Sequence, residues 1–135
     1  MTAVAEEGSG SSWRRRVLTL QAGYYILTGL WPLLHFSSFE LVTGPKTDDW
    51  LVRMVGLLVV LIGVTLAVAV RRDAVYTLEI TVLAAGATIA FFAIDTWYAL
   101  IGRISPIYLA DAALETILLA GLVLTRRPCH DAGRA

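Results

Sequence analysis

The sequence predicts an all-α, polytopic membrane protein: four transmembrane helices in an up-down antiparallel bundle, with both termini cytoplasmic. Four apolar runs, at about residues 17–36, 50–70, 74–102 and 106–125, each reach the roughly 20 residues a helix needs to cross a hydrocarbon layer. Hydrophobic residues make up 57% of the 135-residue chain and the mean hydropathy is +0.69, which leaves too little polar surface for a soluble domain of this size. The arginines cluster where the runs end. Arg14, Arg15, Arg16, Arg71, Arg72, Arg126, Arg127 and Arg134 fall on one side, against Lys46, Arg53 and Arg103 on the other, and the positive-inside rule makes the first side cytoplasmic.

Residues 1–12 are small, polar and partly acidic and read as a disordered tail ahead of a membrane domain of residues 13–127. Arg14 to Arg16 followed by an apolar stretch resembles the start of a signal peptide. The stretch is too long for that, has no small-residue cleavage site, and is followed by three more runs. Trp13 suits the interface and Arg14 to Arg16 the headgroups. In the first span Gln21, Tyr24, Thr28, Trp31 and His35 recur every three or four residues, which places them on one helical stripe. Pro32 sits near the end of that span, where a kink is tolerated.

The outer loop, residues 37–49, mixes Phe39, Leu41 and Val42 with Glu40, Lys46, Asp48 and Asp49. It reads as an interfacial half-helix ending at the Gly44-Pro45 turn. Thr47 or Asp48 is positioned to cap the second span, whose Gly56, Gly63 and Ala67 permit close helix approach. Arg71-Arg72-Asp73 forms a tight turn, with Asp73 expected to cap the third span. At about 43 Å, that span must tilt, curve or project. Ser105 and Pro106 offer a cap and a first-turn proline for the fourth. Residues 128–135 form a C-terminal tail.

Chemistry is suggested by Asp111 and Glu115, two carboxylates inside an otherwise apolar run. Charge at that depth costs at least about 2.5 kcal/mol per group on insertion scales, so each acid should be neutral, paired or turned towards a polar interior. Counting about 1.5 Å per residue puts Asp95 near the level of Asp111, and Glu115 one turn deeper, level with Thr28. The candidate ligand-binding residues are therefore Asp111, Glu115, Asp95, His35, Trp31, Thr28, Tyr24 and Arg53, with Arg53 and Arg103 available as counter-charges. The plainer account is that Asp95 and Asp111 pair with those arginines to hold helix register, and that the tyrosines and tryptophans form interfacial belts. Glu79 lies about 160° around its helix from Asp95 and belongs with Arg71 or Arg72.

Composition removes several classes. Acidic and basic side chains number 11 each with no basic face, so nucleic acid is not an expected partner. The one cysteine, Cys129, cannot form an intrachain disulfide. The two histidines, His35 and His130, lie on opposite sides, which excludes a bis-histidine haem within one bundle. A hard divalent ion on Asp95, Asp111 and Glu115 lacks a spacing motif, and no nucleophile, phosphate-loop or zinc signature appears, so no cofactor and no metal are expected. The first functional expectation is small-molecule or cation binding, or proton-linked transport, in an outward-facing acidic and aromatic pocket. Alternatives are an intramembrane enzyme pairing His35 with one carboxylate on a lipid-like substrate, and an accessory subunit packing Gly56, Gly63, Gly86 and Ala90 against partners. The expected surroundings are the lipid bilayer and a homo-oligomer or membrane-protein partner.

Overall fold

The computed structural model describes residues 2–126, with side chains from residue 10 onward. Among them are five helices: α1 (Thr2–Leu34), α2 (Phe36–Thr43), α3 (Asp49–Arg71), α4 (Leu78–Leu100) and α5 (Tyr108–Leu124). The boundary expected at Arg127 and the tail beyond it lie outside the described residues.

The expectation of four spanning helices does not hold. Three helices are long and apolar enough to cross a membrane: the Gly10–Leu34 part of α1, α3 and α4. The reason α5 falls short is local. Ser105 and Pro106, expected to open it, are used in a turn, where Ser105 O accepts from Tyr108 N at 3.1 Å and Ser105 Oγ from Ile107 N at 3.4 Å. The helix then runs for 17 residues. That is about 26 Å, against a hydrocarbon layer of about 30 Å.

Other boundaries shift for similar reasons. Helix α1 begins at Thr2, within the segment read as a tail, and ends at Leu34 because His35 opens α2. Helix α4 starts at Leu78, not Ala74. Its N-cap is Thr77, whose hydroxyl accepts from Ile80 N, whereas Asp73 takes a φ of 56° and pairs with Arg15 at 3.1 Å. The half-helix expected in the loop is α2, closed by Gly44 at a φ of 88°.

Two helix pairs make up the fold, α1 with α3 and α4 with α5, while α3 and α4 meet sparsely. Glycine sets the first pair. A Cβ on Gly29 would fall 2.6 Å from Gly56 O, one on Gly56 2.7 Å from Gly29 O, and one on Gly63 2.8 Å from Ala22 O. Backbone therefore rests on backbone, the packing that small residues allow between membrane helices.

The packed core lies at the arginine-rich end, where Val17 and Leu18 of α1 meet Leu66 and Val70 of α3, Val75, Ala84 of α4 and Leu122 of α5. Arg14 closes that end from inside. It is only 2% exposed, contrary to the headgroup position expected for it. Its Nε donates to Val75 O at 2.6 Å, Nη1 to Leu122 O at 3.3 Å and Nη2 to Thr81 Oγ1 at 2.8 Å, and the guanidinium lies 5.0 Å from the Tyr76 ring centre. Leu122 O belongs to the last turn of α5, where carbonyls lack helical partners and the helix dipole favours a cation.

The outward faces of α3 and α4 are apolar and bare, including Leu57, Leu58, Leu61 and Val68 on one and Val82, Ile89 and Phe92 on the other. Apolar patches of that extent are matched by a bilayer and not by water. The protein is membrane-embedded.

Candidate functional site

At the end opposite the arginine-rich core the two helix pairs stand apart around a cavity of about 330 Å³. Helix α1 contributes Tyr24, Tyr25, Thr28, Gly29 and Pro32, and α3 contributes Leu51, Val52, Val55, Gly56 and Val59. Facing them are Phe91, Ile94 and Asp95 of α4 and Tyr108, Asp111 and Glu115 of α5, with Phe39 of α2 at the mouth. The walls are apolar and aromatic except for three carboxyl groups and a few hydroxyls, the usual make-up of a small-molecule site.

Two of the acids are held by adjacent tyrosines of α1. Tyr24 Oη donates to Asp111 Oδ1, and Tyr25 Oη donates to Glu115 Oε2 at 3.0 Å. The direction of the second bond follows from its neighbours. Thr88 gives its proton to Ala84 O at 2.9 Å, and Gln21 Nε2 donates to Thr88 Oγ1 at 3.0 Å and Tyr25 Oη at 3.3 Å. The phenol proton has Glu115 Oε2, at 3.0 Å, as its nearer acceptor, with Thr88 Oγ1 at 3.4 Å the farther one. Phe91 meets the Tyr25 ring edge-on at 5.5 Å, which fixes that ring in place. Glu115 is 1% exposed.

Asp95 differs from both. It is 6% exposed, and its Oδ2 is buried with no hydrogen-bond partner. Such an oxygen incurs the full desolvation cost of an acceptor, about 1–3 kcal/mol and more if charged, unless a donor arrives from outside the chain. Among the described residues no lysine or arginine pairs with these three acids. Among the described residues the ion pair is Arg15 with Asp73, far from the cavity.

Of the residues singled out in the sequence, Tyr24, Thr28, Asp95, Asp111 and Glu115 line this one cavity. His35, Trp31 and Arg53 are not part of its wall. His35 is exposed and its Nδ1 accepts from Ser38 N at 3.3 Å as the cap of α2. Trp31 donates from Nε1 to Ser38 Oγ at 2.8 Å. Arg53, expected as a counter-charge, lies 5.2 Å from the Phe36 ring centre. These three fasten α2 across the bundle end.

Sequence reasoning missed Tyr25 and the Gln21–Thr88 pair as parts of the site. A signal was present for Tyr25: Arg14, Leu18, Gln21 and Tyr25 are spaced by four, three and four, a second stripe overlapping the one followed. Tyr108 is met from the loop by Lys46, whose Nζ lies 5.3 Å from the ring centre and donates to Thr43 O at 3.0 Å. Burial holds the Lys46 ammonium below the usual lysine value, with the Glu40 carboxylate acting in the opposite direction.

Among the described residues no three His, Cys, Asp or Glu side chains are grouped to hold a metal ion. The cavity is suited to receive hydrogen-bond donors or positive charge. Tyr25→Phe, which removes the donor to buried Glu115, should destabilise the chain by about 1–3 kcal/mol. Thermal unfolding in detergent checks this; an unchanged transition would show that the bond carries no weight. No protein-family model matches the chain, and no curated protein or solved structure matches it either.

Proposed function

We propose that the protein binds a small organic cation in this cavity, with Asp95 as its principal partner and Asp111 and Glu115 supplying the negative field. The observation that carries the reading is the buried, unpartnered Oδ2 of Asp95 beside two further carboxyl groups with which, among the described residues, no lysine or arginine pairs. Ionisable groups at such depth mark ion and substrate sites more often than structural ones. Aromatic walls from Tyr24, Tyr25, Phe91 and Tyr108 add faces that attract cations.

The arginine-rich end faces the cytoplasm in this proposal and the cavity faces away, following the positive-inside rule. The register-setting account of the acids needs arginine–carboxylate pairs that the described cavity residues lack. The acid–base account needs His35 within about 3 Å of a shared reacting atom, and His35 is engaged in capping α2 outside the cavity wall.

Benzylammonium and benzyl alcohol provide the test, because they share a shape and differ in charge. Isothermal titration with the detergent-solubilised chain should detect benzylammonium and find benzyl alcohol at least tenfold weaker. Asp95→Asn, which keeps volume and removes charge, should weaken benzylammonium at least tenfold, about 1.4 kcal/mol. Equal binding of the two probes, or an unchanged Kd in Asp95→Asn, would refute the proposal.

A further inference from the structure

Resting on the cation-binding reading, we infer that the cavity takes a single-chain amphiphile dissolved in the bilayer, its primary ammonium head on Asp95 and its alkyl chain in the gap between α3 and α4. The geometry points to this from how the cavity is closed. The arginine end is sealed by the core around Leu18, Leu66 and Leu122 with Arg14 across it. The mouth lies under α2, whose Phe39 is part of the wall, and Lys46 stands there as a positive charge that opposes entry of a cation.

The side between α3 and α4 is different. These two helices meet sparsely, and the cavity residues there are Leu51, Val55 and Ile94, respectively 42%, 43% and 54% exposed. In a membrane-embedded chain, exposed aliphatic rims face lipid and not water. The cavity therefore has an aliphatic opening into the bilayer and an acid at its inner wall, which matches a molecule with an alkyl chain at one end and a cation at the other.

The unpartnered Asp95 Oδ2 narrows the head. A primary ammonium brings N–H donors and charge together, and such bonds are shorter and stronger than neutral ones. A quaternary head would neutralise the charge and leave that oxygen without a donor. A phospholipid amine is excluded by charge and by room: its phosphate would lie against the acids, and about 330 Å³ is at the small end for ligand cavities.

The test compares octylammonium with methylammonium by isothermal titration in phosphatidylcholine nanodiscs, with the heat of partition into empty discs subtracted and concentrations referred to the lipid phase for the octyl probe. The native chain should bind octylammonium at least tenfold tighter than methylammonium. Ile94→Trp, which narrows the gap at an exposed position, should collapse that ratio towards one, and Val55→Trp should do the same from the other rim. Equal affinities in the native chain, or a ratio that neither tryptophan variant lowers, would overturn the inference. If Asp95→Asn still weakens both probes in that case, the cation site stands without its lipid-side entrance. If Asp95→Asn changes neither probe, the site and the entrance fall together. Competition when half the lipid is phosphatidylethanolamine would overturn the single-chain assignment.

Discussion

Arg14→Ala is expected to lower stability in detergent by about 3–9 kcal/mol, because three acceptors lose a charge-assisted hydrogen bond and are left unsatisfied at about 1–3 kcal/mol each. The guanidinium reaches Val75 O, Leu122 O and Thr81 Oγ1 at once, so it ties the middle of α1 to the α3–α4 turn, the first turns of α4 and the end of α5. Two further variants separate this account from a headgroup role. Arg14→Met keeps the aliphatic stem and should be nearly as damaging, because the acceptors remain bare. Arg14→Lys keeps the charge and should recover less than half of the loss, since an ammonium on a single stem cannot span a planar three-point arrangement. A headgroup arginine would tolerate lysine without loss. Thermal unfolding of the three variants decides the matter, and native-like stability of Arg14→Lys would rule out the clamp.

That residue also shows where sequence reading stops. The helical class, the membrane setting and the turn at Gly44 follow from hydropathy, period and glycine alone. Counting about 1.5 Å per residue puts Asp95 level with Asp111 and Glu115 one turn deeper, and the three line one cavity. The face of α1 that turns inward was less accessible. Gln21, Tyr24 and Thr28 share a stripe with Trp31 and His35, but that stripe drifts towards one edge of the buried face, and the helix ends before His35. The competing stripe through Arg14, Leu18, Gln21 and Tyr25 carries an arginine, and an arginine beside two others reads as a headgroup anchor. Only contacts from three other segments reveal that one of the three is buried. Span counting failed at α5 for a similar reason. Composition supplied a mostly apolar run of 20 residues, 106–125, but a turn at Ser105 took the first of them out of the helix.

A single glycine substitution should change sign with its location, and this is the second large effect. Gly56→Ala is expected to cost about 2 kcal/mol, within the usual range for overpacking, even though alanine is the better helix former by about 1 kcal/mol. The added carbon would lie 2.7 Å from Gly29 O and 3.1 Å from Pro32 Cγ, and neither is the free end of a flexible side chain. Helices α1 and α3 must separate to admit it. Gly86→Ala meets nothing within 4 Å and should gain up to about 1 kcal/mol from helix propensity. The site registers the first change as well. Gly29 and Gly56 both line the cavity, so spreading α1 from α3 moves Tyr24 and Tyr25 relative to the acids they hold, and benzylammonium binding should fall several-fold in Gly56→Ala and stay unchanged in Gly86→Ala. Stabilisation by Gly56→Ala equal to that by Gly86→Ala would mean that the α1–α3 contact is free to open, and the cavity could not then owe its shape to it.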